Sequence, residues 1–186
     1  MHDGTRRPDH PEHEQHEGLP VPTAAQVLAR TLPAAALLVG GPPALVHWGV
    51  DETGNARTGW ITLAPALLMG VALLVQHLVQ APRPRLDAHR DQPALRRWIR
   101  IASDSGRLPA DPRTRTAAGA LACGQLETAA LTLAGIVGVI GIWVVRAETW
   151  WAVTAVLLML IALVPAVRAR RSERYLTAVH ADRPTG

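Results

Sequence analysis

The residues of this chain whose types and spacing could do chemistry fall into three groups. The densest lies in PPALVHWGVDETGNARTGW, residues 42–60, where His47, Trp48 and Gly49 are followed by Asp51, Glu52, Gly54 and Asn55. Imidazole and carboxylate are ordinary zinc ligands, so His47 with Asp51 or Glu52 could supply part of a metal site. The spacing matches no recognised site. The same composition suits an ordered turn, in which Gly takes positive φ and Asp or Asn bonds its own backbone, and that reading is adopted with no metal and no cofactor assigned. The second group is Arg30, His77 and Glu127, each inside or at the edge of a strongly apolar stretch. An ionisable group there is costly unless it reaches water or finds a partner. A His77–Glu127 pair would make a proton-linked site, provided the segments carrying them touch. The third group is His10, His13 and His16, recurring every three residues among Glu12, Glu14 and Glu17. Nothing fixes ligand geometry in such a run, so it reads as a solvated tail. There is no G-x-S-x-G, H-E-x-x-H or P-loop, and the chain is not read as an enzyme.

The elements that must position these groups come from four apolar blocks, each close to the roughly 17–25 residues that carry a helix across a bilayer. The first starts at a Thr23 cap, runs through AAQVLARTLPAAALLVGG, and is expected to stop at Gly40, Gly41, Pro42 and Pro43. The second runs from Trp60 to Gln80, ahead of Pro82 and Pro84, and the third from Gly124 to Val145. In the third, Gly135, Gly138 and Gly141 recur at helical spacing and Ala134 pairs with Gly138, a face that lets another helix approach closely. Only residues 146–149 separate it from the fourth, WWAVTAVLLMLIALVPAV, so the two are antiparallel neighbours. The expected fold is all-α: an integral membrane protein with four transmembrane helices.

Charge supplies the orientation. All 19 basic residues are arginine, and the sequence pI is about 10.8. With four spans, seventeen of them fall on one side and only Arg57 and Arg146 on the other. The positive-inside rule then puts both termini in the cytoplasm of a multipass plasma-membrane protein. Five of the six tryptophans, all but Trp98, land at the outer interface. Because the arginines flank apolar blocks and no base-reading motif accompanies them, nucleic acid is not an expected partner. The lipid bilayer is, with a membrane or cytoplasmic regulatory protein or an extracellular peptide as further candidates.

The organisation that follows is a disordered His/Glu-rich tail over 1–22 and a two-helix unit over 23–80 with an outward loop at 42–60. An arginine-rich cytoplasmic segment covers 81–116, a second helical pair 117–168, and a basic tail 169–186. Within the central segment, Leu95, Trp98, Ile99 and Ala102 share one helical face with Arg96, Arg97 and Arg100 opposite. That short amphipathic helix suits either the anionic inner leaflet or the protein's own inner surface. Asp104 to Arg115 reads as a turn-rich connector, and the last dozen residues as unstructured.

The segment around His47 also carries a resemblance. It looks like the signature of an uncharacterised bacterial membrane domain family, known from the front half of SdpI-type immunity proteins: a membrane helix, a proline, an HW-G or HF-N segment, then a second membrane helix. The matching positions are Pro43, His47, Trp48, Gly49 and Gly54, within residues 25–80. Gly54 comes about two residues late, and Arg57 stands near where that family has an Asp-Arg pair. The resemblance implies a non-enzymatic membrane protein that protects against a secreted peptide toxin and recruits a cytoplasmic repressor. The alternative drawn from the residues alone is a transport component using Glu127 and His77.

Overall fold

The computed structural model describes residues 21–49, 51, 53, 63–80, 92–147 and 149–182. These form five helices: α1 (Ala24–Gly49), α2 (Ala64–Val79), α3 (Gln92–Ser105), α4 (Pro112–Arg146) and α5 (Thr149–Ala181). Three of them, α1, α4 and α5, are long and apolar enough to cross a membrane, and α2 is a shorter apolar helix of 16 residues. The all-α expectation holds. Residues 60–62 of the expected second span lie outside the described residues.

Helix α1 begins as its sequence directs. Thr23 N–H donates to Gln26 Oε1 at 3.0 Å and Gln26 N–H to Thr23 Oγ1 at 3.2 Å, a reciprocal capping box. Its end corrects the sequence reading, because α1 runs through Gly40, Gly41, Pro42 and Pro43 to Gly49. The reason lies in α4. Proline at 42 has no N–H for the carbonyl of Leu38, which is thereby released from the helical ladder. That carbonyl faces Gly138: a Cβ built on Gly138 would stand 2.2 Å from Leu38 O and 3.1 Å from Pro42 Cγ. One turn on, a Cβ at Gly141 would meet Pro43 Cγ at 3.2 Å. The two prolines therefore fill the groove that the glycines leave, and a neighbouring helix covers the released carbonyl, the circumstance in which prolines persist in membrane helices.

The helices pack in the order α2, α1, α4, α5, with α1 held between α2 and α4. Leu38, Ala72 and Ala134 form the small core where α1, α2 and α4 meet. The outer faces of this row are apolar and bare: Leu73, Leu74 and Leu78 on α2, and Val156, Leu160 and Ile161 on α5, are all exposed. In water such a surface is far larger than a soluble monomer tolerates, and lipid is the solvent it suits.

At about 1.5 Å per residue, α4 with 35 residues and α5 with 33 are each roughly 50 Å long, so they outrun a hydrocarbon core of about 30 Å. Their surplus lies at the arginine-rich end, where α3 packs across both. The core there joins Val21 and Val27 of the amino-terminal region, Leu95, Ile99 and Ala102 of α3, Ala118, Ala122, Cys123 and Leu126 of α4, and Tyr175, Leu176 and Val179 of α5. Leu95, Ile99 and Ala102 of α3 are thus spent inside the protein, while Trp98, expected on the same face, stays half-buried outside this core. Where the sequence reading has a basic tail from 169 with its last dozen residues unstructured, α5 continues unbroken to Ala181, and the expected boundary at 116/117 falls within α4.

Polar bonds pin this cap. Asp111 caps α4, its carboxylate accepting from the Thr114 hydroxyl (2.6 Å) and from the N–H groups of Thr114 (2.9 Å) and Arg113 (3.2 Å). The Thr114 hydroxyl is the chief reason that this carboxyl sits below its ordinary value. The Tyr175 hydroxyl donates to Arg115 O at 3.0 Å, and the Arg115 guanidinium binds Pro109 O and Asp182 Oδ2. Burial pushes the Tyr175 phenol up to about 12, against the opposing charge of Arg115. His180 closes the cap on the segment that leads into α1, with Nδ1 2.7 Å from Leu176 O and Nε2 3.2 Å from Val21 O.

Candidate functional site

At the end away from the cap, the last turn of α1 presents His47 and Trp48. Because α1 does not stop at Pro42, these two residues are helical rather than part of a loop, and Gly49 is the buried residue that closes the helix. Trp48 is 71% exposed, and its ring meets His47 edge-on with centroids 6.0 Å apart. Asp51 then forms a local turn, its Oδ1 accepting from Thr53 N–H at 3.0 Å and from the Thr53 hydroxyl at 2.7 Å. The backbone of Asp51 is tied to the neighbouring helix α4, whose last residue Arg146 donates from Nη2 to Asp51 O at 2.9 Å. Arg146 is placed for this by the end of α4, where Ala147 takes φ 52° and its N–H caps Trp143 O. This turn then gives α5 its start and leaves Trp143 and Trp150 exposed beside it. Gly54 and Glu52 lie outside the described residues.

The second group assembles differently from the sequence expectation. Glu127 is buried, 6% exposed, where α4 meets the end of α2. Its Oε2 accepts from Gln80 Nε2 at 2.9 Å, while His77 is exposed. The imidazole–carboxylate pair is therefore replaced by an amide–carboxylate bond. Helical geometry explains this. Gln76 and Gln80 lie four residues apart on one face, and His77 is turned about 100° from Gln76. Arg30 is likewise exposed on α1, so the three ionisable residues do not converge.

Sequence reasoning missed Gln76 and Gln80. The signal was available: two amides at i, i+4 in LLVQHLVQ mark one polar stripe on an otherwise apolar helix. Gln76 is 7% exposed, and neither its Nε2 nor its Oε1 has a hydrogen-bond partner among the described residues. Natural interiors leave few such groups. Thr31, also buried, returns its hydroxyl to Leu28 O at 2.7 Å and so does not serve Gln76.

Compared with family models, with curated proteins and with solved structures, the chain matches none.

Proposed function

We propose that this is a four-span membrane protein with both termini inside, a non-enzymatic sensor, immunity or accessory factor that meets its partner at the Trp48 turn. The observation that supports this most is the pairing of an exposed Trp48 and His47 with a turn anchored by Arg146 to Asp51. An indole with most of its surface uncovered contributes little to the fold, yet Arg146 and Asp51 hold the chain beside it in place. A rigid aromatic in an ordered setting is the kind of group that anchors a partner. The resemblance of Pro43, His47, Trp48 and Gly49 to SdpI-type proteins points the same way. So does the continuous α4, which runs from the Arg146 turn into the folded basic cap.

The test is a protection or signalling assay in cells carrying H47A, W48A or E127Q, with membrane levels checked for each. H47A and W48A should lose the response while E127Q keeps it. Loss in E127Q alone would reject the reading in favour of transport, the second reading, which the buried Glu127 bound to Gln80, one helical turn from the buried Gln76 amide, favours. Orientation has its own check. Reporters active only outside the cytoplasm, fused to either terminus, should stay dark.

A further inference from the structure

We propose that the flank of α3 formed by Pro93, Ala94, Arg97, Trp98 and Ile101 binds an anionic phospholipid of the inner leaflet, phosphate on Arg97 and acyl region on Trp98 and Ile101. The site rests on the orientation given above, with the arginine-rich end inside.

Helix α3 has two apolar faces, and they have different fates. Leu95, Ile99 and Ala102 are buried against α4 and α5. The adjoining flank lines an open groove of about 570 Å³, with four apolar residues and one guanidinium. That mixture matches an amphiphile better than it matches a soluble anion, which would leave Trp98 and Ile101 unused.

Charge points to the same occupant. Arg96, Arg97 and Arg100 on α3, and Arg168, Arg170 and Arg174 on α5, are exposed. Among the described residues none of the six has a carboxylate within salt-bridge distance, and Arg96 reaches only the side-chain oxygen of Gln92. Uncompensated guanidinium groups at an inner membrane surface attract anionic headgroups.

The test uses the full chain purified in neutral detergent, with phosphatidylglycerol, phosphatidylcholine and inorganic phosphate as separate probes. Native mass spectrometry counts retained lipid, and thermal unfolding reads the shift. Phosphatidylglycerol should be retained and should raise the unfolding midpoint, whereas phosphatidylcholine and phosphate should not. R97Q should bind it about fivefold more weakly, the effect of one basic residue at an anionic surface, and W98L should weaken binding through loss of the indole. R97K should recover most of the affinity, and R107Q, in the connector outside the groove, should leave it unchanged. An equal response to phosphatidylcholine, the same shift from phosphate alone, or R97Q and W98L binding like R107Q would each overturn the site. So would an oligonucleotide raising the midpoint when phosphatidylglycerol does not. A carboxyl-terminal reporter lit outside the cytoplasm would instead remove the orientation, a failure separable from loss of lipid selectivity.

Discussion

Gly138→Ala places one methyl group against a backbone that cannot step aside. Its Cβ would stand 2.2 Å from Leu38 O, about 0.8 Å inside the 3.0 Å that real Cβ contacts respect. Leu38 O belongs to the main chain of α1, and Pro42 holds the other wall at 3.1 Å, so α1 and α4 must separate along the whole crossing. Overpacking of this kind costs about 1–3 kcal/mol, and separation also uncovers the carbonyl that Pro42 leaves without its helical donor. Against this, alanine gains up to about 1 kcal/mol in helix propensity. Gly135, one turn away on the same helix, isolates the two effects, because a Cβ there meets nothing within 4 Å. Reversible denaturant unfolding in detergent should therefore rank G135A at or above the parent, G141A below it, and G138A lowest. G138A matching G135A would refute the close Gly–Pro seating of α1 on α4, and with it the reason that α1 survives two consecutive prolines.

Two other perturbations separate the amides of α2. Gln80→Leu deprives the buried Glu127 carboxylate of a 2.9 Å donor and should destabilise by about 1–3 kcal/mol. Gln76→Leu removes an amide with nothing to lose and should be neutral or stabilising, so a Gln76→Leu loss as large as that of Gln80→Leu would contradict the placement of these side chains. Tyr175 is the only tyrosine, so tyrosinate absorbance reports it alone. It should ionise near 12 in the folded protein, against 10 when exposed. A phenol whose value is raised by folding contributes stability in full below its unfolded value, and that contribution fades as pH rises from about 10 through about 12. Ionisation at the ordinary value in the folded protein would show the cap to be open. Tyr175→Phe should abolish the titration and cost about 1 kcal/mol through the bond to Arg115 O.

What could be read from residues in order was whatever depends on local runs. The long apolar stretches of α1, α4 and α5 and the Thr23 capping box are properties of a few dozen consecutive side chains, and the structure has them. The close-approach face at Ala134 and Gly138 was legible for the same reason, though its partner, the Pro42–Pro43 step of α1, was not. The helical continuation of α5 was legible but overlooked: Ser172, Tyr175, Leu176 and Val179 recur at i, i+3, i+4 and i+7 among arginines.

Tertiary structure alone decided three matters. It let α1 pass through GGPP, because the cost of a missing N–H depends on whether a neighbour shelters the carbonyl it leaves. It turned the apolar face of α3 onto α4 and α5, because an amphipathic pattern specifies a face to be covered without naming the cover. And it gave Glu127 to Gln80 rather than His77, because depth in the membrane places two groups at one level while helix rotation determines which of them meet.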